Sequence, residues 1–216
     1  MLLSRLVFRH QRELIGVPGA DAYGPCFDRG ELGLKQPPRV ESYRGFYFVS
    51  FNPHVEDLVT YLAGAKEYLD LIVDQAEEGM RVIAGSNRYG TKANWKLLAE
   101  NSLDGYHLVP THRTYVDYIA GLGTDDSGDT MAARPPGRAR ALGTGHCVAE
   151  NVARNGRPIA HWHPLYGEEA REPIERVRQR LVETYGEERA YQMADTSRNL
   201  LIYPNLIIND IVAITI

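Results

Sequence analysis

Cysteine is scarce in this 216-residue sequence, and long apolar runs are missing altogether. The two cysteines, Cys26 and Cys147, are too few for a disulfide framework, so a reducing, cytoplasmic setting is expected. No apolar run approaches the ~20 residues of a membrane-spanning helix, so no membrane segment is predicted. The sequence contains neither a Gly-x-Gly-x-x-Gly motif nor a phosphate-binding loop, which argues against a nucleotide or nicotinamide site.

A large excess of charge of one sign is also missing. Lysine and arginine number 24 against 28 aspartate and glutamate residues, which gives a formal net charge of −4. This balance gives no reason to expect nucleic acid or an anionic membrane as a partner. Hydrophobic residues make up 44% of the chain and charged residues 24%, which is the composition of a folded domain with a real core.

Residues 94–112 carry the side chains that are best suited to bind a metal or take part in catalysis. Trp95, Leu98, Ser102 and Tyr106 recur at helical spacing, which predicts a helix with one face in a core. A second strip of the same helix would carry carboxylate, amide and imidazole groups: Glu100, Asn101, Asp104 and His107. If this strip is buried, its polar groups must be satisfied inside the protein.

Two histidines of this stretch, His107 and His112, are separated by five positions. On an unbroken helix they would lie about 140° apart around the axis, too far for both imidazoles to hold one ion. Pro110 lies between them, and it cannot continue the helical hydrogen-bond ladder. We therefore expect the helix to end or kink near Leu108, and the turn to bring His112 back beside His107.

The histidine pair allows three interpretations. Two neutral imidazoles and one carboxylate leave three positions open on an octahedral Fe(II), as in non-haem iron oxygenases. A zinc-dependent hydrolase could use the same pair with a nearby carboxylate. A structural or solvated pair is the third interpretation. His161 and His163 could form another metal site on one side of a strand, although solvated or hydrogen-bonded imidazoles are the expectation there.

The whole stretch resembles the iron-site helix of the large (α) subunit of Rieske-type aromatic-ring-hydroxylating oxygenases. The family pattern runs Asn-Trp-Lys, Glu-Asn, Asp-x-Tyr-His, four residues and a further His. It is matched here by Asn94-Trp95-Lys96, Glu100-Asn101, Asp104-Gly105-Tyr106-His107 and His112. The resemblance extends over most of the chain: residues 14–51 are similar to the end of the family's Rieske domain, and residues 204–210 to a later strand pair.

The resemblance implies a role for each matched site residue. His107 and His112 would hold one mononuclear Fe(II). Asp104 would bridge His107 to a Rieske-cluster histidine of the neighbouring subunit and carry or gate electron transfer. The expected substrate-binding residues are Asn101, Leu206 and Ile208.

The sequence departs from the family at the remaining metal ligands. A Rieske [2Fe–2S] cluster needs two cysteines and two histidines. The family spaces them as Cys-x-His and Cys-x-x-His, and neither Cys26 nor Cys147 has that spacing. The family's third iron ligand is a carboxylate that would lie past Ile216, and neither Asp210 nor Glu100 matches its position. We therefore expect a truncated chain, with the [2Fe–2S] cluster only in the full-length protein.

The expected fold class is α+β. Residues 1–51 would be the C-terminal remnant of a Rieske domain, and residues 52–216 a catalytic non-haem iron domain that is incomplete at its C-terminus. The resemblance implies an antiparallel-sheet helix-grip (Bet v1/START-like) fold for the latter. Local patterns predict strands at 14–17, 39–51, 81–89 and 200–216, a helix at 172–185, a loop at 123–145 and a turn at Asn209-Asp210.

The activity implied by the resemblance is O2-dependent hydroxylation of an aromatic ring, commonly cis-dihydroxylation. The expected partners are the aromatic substrate, O2, a reductase and, in some systems, a ferredoxin. A homotrimer or an α3β3 oligomer is the expected assembly. Two alternatives stay open from the sequence: a zinc-dependent hydrolase that uses the histidine pair, and a non-catalytic truncated product.

Overall fold

The computed structural model describes residues 7–114, 117, 137–153, 156–211 and 214–215. The chain divides into two compact units, Met1–Glu56 and Asp57–Ile216. The assignment of the first unit to the end of a Rieske domain stays a prediction. Among the described residues, no helix is both long enough and apolar enough to cross a membrane.

The first unit contains two small antiparallel hairpins. Strand β1 (Val7–Phe8) pairs with β2 (Leu14–Gly16), and β3 (Arg39–Tyr43) pairs with β4 (Phe46–Ser50). The two residues between β3 and β4 both have positive φ, 52° at Arg44 and 88° at Gly45, as tight two-residue hairpins require. The predicted strand region 39–51 is therefore confirmed as a hairpin rather than one strand.

The second unit is built around a five-stranded antiparallel sheet in the order β5-β6-β7-β8-β9. Its strands are β5 (Arg138–Gly143), β6 (His146–Val152), β7 (Thr196–Ile202), β8 (Leu206–Ile211) and β9 (Ile214–Thr215). Its helices are α1 (Leu58–Leu62), α2 (Ala65–Val73), α3 (Lys96–Leu103), α4 (Leu108–Thr111), α5 (Arg171–Tyr185) and α6 (Glu187–Ala194). The predicted α+β class with an antiparallel sheet is confirmed.

The hydrophobic core lies on one face of this sheet. Side chains of β6, β7, β8 and the helices α1, α2, α5 and α6 are almost fully buried there, among them Val148, Leu200, Ile208, Leu62, Leu69, Ile72, Leu181 and Met193. Successive residues of a strand point to opposite faces. In β7, Arg198 reaches the Gln192 carbonyl in α6, whereas Asn199 reaches the Ser102 carbonyl in α3. Helices α6 and α3 therefore contact opposite faces of the sheet.

A charged cluster is buried within this core. Arg157 and Arg198 are 0% and 1% exposed, and Asp210 is 0% exposed. One Asp210 oxygen pairs with Arg157, and the other accepts from Arg198 Nη1 at 2.7 Å and from Gln75 Nε2 at 2.9 Å. Burial lowers the pKa of the Arg198 guanidinium, and the charge of Asp210 opposes that shift. Because a buried charge needs a partner, this aspartate is central to the packing of the unit.

Three local predictions are wrong. Residues 81–89 form no strand, and Val82 and Ile83 are 96% and 84% exposed. Residues 138–143, predicted as part of a loop, form β5 because they pair with β6; residues 123–136 of that loop lie outside the described part. The predicted turn at Asn209-Asp210 is instead the middle of β8, since Asp210 points into the core and pairs with buried arginines.

Candidate metal centre

The helix α3 ends in a turn built by Asp104. Asp104 leaves the helical region (φ −91°, ψ 124°), while its N–H still donates to the Glu100 carbonyl at 2.9 Å. Its carboxylate Oδ1 accepts the N–H of Tyr106 at 2.7 Å, which is an Asx turn. This bond replaces the helical one that the Tyr106 N–H would otherwise make, so the chain changes direction here.

The short helix α4 begins directly after this turn. The N–H of Thr111 donates to the His107 carbonyl at 2.9 Å. Pro110 lies within α4, in the first turn of a helix, where a missing N–H breaks no hydrogen bond. The predicted break near Leu108 is therefore wrong in position and in cause: the helix ends at Leu103, and Asp104 ends it.

The turn brings the two predicted histidines together. The ring centroids of His107 and His112 are 5.3 Å apart, and the ring planes make an angle of 64°. On one unbroken helix the two residues would lie about 140° apart around the axis. They come together because the helix is broken between α3 and α4. Two neutral imidazoles in this relation can serve as neighbouring ligands of a divalent transition metal.

Asp104 lies behind the first histidine of the pair. Its Oδ2 is 3.5 Å from Nδ1 of His107, whose side chain is 22% exposed against 38% for Asp104. The Nδ1 atom of His107 is buried and makes no hydrogen bond within the part of the chain that the structure describes. A carboxylate beside Nδ1 favours the tautomer with Nε2 as the lone-pair nitrogen, and metal-bound histidines commonly have such a carboxylate partner.

The donor set on these elements fits two of the three protein ligands of a two-histidine, one-carboxylate iron site. Within residues 7–114, 137–153 and 156–211, no group of three or more histidine, cysteine, aspartate or glutamate side chains is placed to hold a metal ion.

The predicted burial of α3 is wrong. No side chain of α3 is buried, and its apolar residues Leu97 and Leu98 are 58% and 65% exposed. Trp95 and Tyr106 are also exposed, at 51% and 95%. The spacing correctly predicts a helix. Spacing shows only that residues share a face, and it does not show what covers that face.

The predicted substrate-binding residues are not brought together. Asn101 is exposed on α3. Leu206 and Ile208 pair with Ile202 and Leu200 across the β7–β8 ladder, so their side chains lie on the core face, opposite α3. The substrate-binding role expected for Leu206 and Ile208 stays a prediction. Asn209, the residue after Ile208 in β8, points to the opposite face of the sheet, which is the face that contacts α3.

The second histidine pair forms no joint site. His161 Nδ1 is 2.6 Å from Asp195 Oδ1, whereas His163 Nδ1 accepts the Leu165 N–H at 3.3 Å. Arg178 bonds the other Asp195 oxygen. Burial alone would raise the pKa of the Asp195 carboxyl, but the bonds from His161 and Arg178 bring that pKa below its ordinary value. His161, Arg178 and Asp195 border an open cleft of about 300 Å³, which His163 does not line.

The comparisons with known proteins agree with this fold. Residues 64–215 match the family model for the ring hydroxylating alpha subunit (catalytic domain). The toluate 1,2-dioxygenase subunit alpha of Pseudomonas putida is 35% identical over 196 residues, which cover 89% of this chain and 41% of that protein. The anthranilate 1,2-dioxygenase large subunit of Acinetobacter baylyi is 33% identical over 213 residues, 94% of this chain and 44% of that protein.

Solved structures give the same class of protein. A structure of naphthalene 1,2-dioxygenase with indole bound in the active site superposes with a TM-score of 0.66 at 27% sequence identity, over 93% of this chain and 45% of that one. Naphthalene 1,2-dioxygenase from Rhodococcus sp. gives a TM-score of 0.60 at 28% identity. The fold is thus that of an oxygenase large subunit. The chain belongs to the ring-hydroxylating dioxygenase α-subunit family, and it spans 41–45% of the length of the relatives described above.

Proposed function

We propose that this chain is part of an oxygenase that adds O2 to an aromatic ring at a mononuclear non-haem Fe(II) centre, as a cis-dihydroxylation. The observation that carries the proposal is the His107–His112 pair, 5.3 Å apart, behind which Asp104 is placed 3.5 Å from His107. The chain has this arrangement in the region that matches the family's catalytic domain.

The iron would be held by His107 and His112, with one carboxylate from beyond Ile216 as the third protein ligand. Bound there, ferrous iron would supply redox chemistry and open positions for O2 beside the substrate. The protein's own contribution is to orient the ligands. Asp104 Oδ2, 3.5 Å from Nδ1 of His107, would favour the tautomer with the proton on Nδ1 and the lone pair on Nε2, where the metal binds.

Asp104 also has a second proposed role. Its side chain is 38% exposed, so the carboxylate is accessible while it contacts His107. We propose that it links His107 to a Rieske-cluster histidine of a neighbouring subunit and so forms part of the electron path. The [2Fe–2S] cluster, a reductase and, in some systems, a ferredoxin belong to this proposal, as does a homotrimeric or α3β3 assembly.

A benzoate-type acid is the first substrate to assay. The relatives named for toluate, anthranilate and 2-halobenzoate share a ring carboxylate in those named compounds. Other relatives are named for neutral rings, benzene and naphthalene. Asn101 stays a proposed substrate-binding residue, since it lies on the same helix as the Asp104 turn.

The experiment is turnover by the complete protein with its reductase, NADH, a benzoate-type acid and isotopically labelled O2. The proposal expects both atoms of one O2 molecule in a cis-diol product. Incorporation of a single oxygen atom would reassign the reaction as monohydroxylation, and absence of oxygen incorporation from an iron-loaded, reduced protein would contradict the proposal. The zinc-hydrolase alternative has no support among these relatives, and zinc in place of iron in the purified protein would revive it.

A further inference from the structure

A side-chain hydrogen bond joins the C-terminal end of α3, which leads into the turn before His107, to the sheet. Asn199 in β7 donates from Nδ2 to the Ser102 carbonyl in α3 at 2.8 Å, and the two residues are 97 positions apart in the sequence. In a continuing helix this carbonyl would accept the Tyr106 N–H. That N–H is taken by Asp104 Oδ1 at 2.7 Å. Asn199 therefore satisfies a carbonyl that the break in the helix deprives of its usual donor.

The bond matters because it ties this end of α3 directly to the sheet. Helix α3 lies against β6 and β7, but none of its side chains is buried there. At the other end of the helix, the Trp95 ring lies 5.9 Å from the ring of Tyr203. The end that leads into the histidine turn is tied to the sheet by the bond from Asn199 to Ser102, and Ser102 lies two residues before Asp104 in the chain.

Asn199 lowers the stability of the fold through its side-chain oxygen. Its Oδ1 atom is buried and has no hydrogen-bond partner among the described residues. A buried polar atom without a partner destabilises the fold, and a leucine at this position would avoid that penalty. Stability alone therefore does not explain an asparagine at this position. The bond from its Nδ2 to the Ser102 carbonyl is the remaining contribution of the side chain.

We propose that Asn199 is a positioning residue for the metal centre. It acts through the Ser102 carbonyl, which fixes the end of α3 and thereby the direction in which the Asp104–His107 turn leaves the helix. Asn199 does not contact the histidines in this scheme. The inference deepens the proposed function and rests on it, because the turn matters only if His107 and His112 hold a metal.

Two variants distinguish the effect of the Nδ2 hydrogen-bond donor from the effect of the side-chain volume. Asn199→Leu keeps a similar volume and suits a strand, while Asn199→Asp keeps the shape but cannot donate to a carbonyl. The matched control is Asn209→Leu, because Asn209 is the exposed residue directly opposite Asn199 in the β7–β8 ladder. If the buried aspartate prevents folding, as judged by circular dichroism, the leucine variant still carries the test.

The first readout is backbone amide hydrogen exchange in the complete, metal-free protein. We expect exchange at the Asp104, Tyr106 and Thr111 amides to become about tenfold faster in both Asn199 variants, because the turn opens more often. The control should keep the wild-type rates at these amides. Wild-type exchange in Asn199→Leu would overturn the inference, even if its melting temperature changed.

The second readout is metal binding, followed by titration with Co(II) and its d–d absorption spectrum. We expect about tenfold or more weaker binding and an altered spectrum in Asn199→Leu, of the size seen when outer partners of metal ligands are removed. Wild-type affinity and spectrum in that variant, alongside normal binding by wild-type protein, would overturn the Asn199 inference and leave the proposed function standing. Absence of binding by wild-type protein would overturn both.

Discussion

The carboxylate of Asp104 lies 3.5 Å from Nδ1 of His107 and at the same time accepts the Tyr106 N–H at 2.7 Å. One aspartate thus ends α3, builds the turn and faces the first histidine of the pair. The local backbone and the proposed metal centre are therefore set by the same side chain. Any substitution at this position tests both roles, and the choice of variant decides which one is tested.

Replacement of Asp104 by asparagine tests the electron path. The amide keeps the size and can still accept the Tyr106 N–H, so the turn and most of the iron and cluster should be retained. We expect most turnover to be lost, by about tenfold to a hundredfold, because the variant lacks the charge that we propose links the two centres. The measurement is single-turnover reoxidation of the reduced cluster, followed together with product after addition of substrate and O2. Wild-type rates of both would leave Asp104 with a local structural role only.

Replacement of Asp210 by asparagine tests the buried cluster. The change leaves Arg157 and Arg198, which are 0% and 1% exposed, without their shared counter-charge. We expect a loss of about 3–5 kcal/mol in the free energy of unfolding. Urea denaturation followed by circular dichroism measures it. Glu172→Gln, which removes a carboxylate from an exposed ion pair with Arg176, should leave the midpoint nearly unchanged. Equal midpoints for the two variants would contradict the assigned role of Asp210.

Acid should weaken the contact between Asp195 and its two partners. The pKa of Asp195 lies below its ordinary value, although burial opposes the shift, because His161 and Arg178 bond the charged form. A carboxyl with a lowered folded-state pKa stabilises the protein above its unfolded pKa, and the contribution disappears as the pH falls through the folded value. The window therefore lies below about pH 4.

The matching variant for this pH effect is Asp195→Asn. At about pH 7 it should be less stable than the wild type by about 1–3 kcal/mol, because a charge-assisted partner of His161 and Arg178 is lost. The difference should shrink as the pH is lowered towards about 3, since the wild-type carboxyl then becomes neutral as well. The test is to measure the melting temperatures of both proteins across this pH range. A difference in melting temperature that stays constant with pH would rule out titration of Asp195 as its source.

The purified 216-residue chain should show no Rieske absorption and no reduced-state EPR signal. Neither Cys26 nor Cys147 has a histidine at either of the family's two spacings, so the chain lacks the two cysteine–histidine pairs that a cluster needs. Cys147 is also partly buried, and burial raises the pKa of its thiol, which disfavours the thiolate that binds iron. A Rieske signal from the pure chain would show that the cysteines have been misassigned.

The parts of the structure that sequence predicts well are those with local causes. The amphipathic pattern of residues 172–185 gives α5, observed as Arg171–Tyr185, and Gly186 follows it with φ 82°, as expected for a residue that ends a helix. The nineteen-residue pattern around His107 identifies the family, because many residues are fixed at once. Each of these inferences depends on neighbours within a few turns of chain.

The parts that sequence misses have distant causes. Asp210 looked like a turn residue beside Asn209, but its partner Arg157 is 53 positions away. Residues 138–143 looked like a loop because they are rich in glycine, alanine and arginine, and their pairing with β6 makes them a strand. The Asn199–Ser102 bond spans 97 positions and carries no sequence signal of its own. Polar residues in such places become interpretable only when the contacts are known.

Iron content in histidine variants of the complete protein tests the central claim most directly. His107→Ala and His112→Ala should each remove the mononuclear iron and the activity together, because each deletes one of two imidazoles that lie 5.3 Å apart. His54→Ala is the matched control, since His54 is an exposed histidine in the other unit. Elemental analysis of the three purified proteins should find about three irons per chain in the control, two of them from the [2Fe–2S] cluster, and about two in each histidine variant. About three irons per chain in both His107→Ala and His112→Ala would contradict the account.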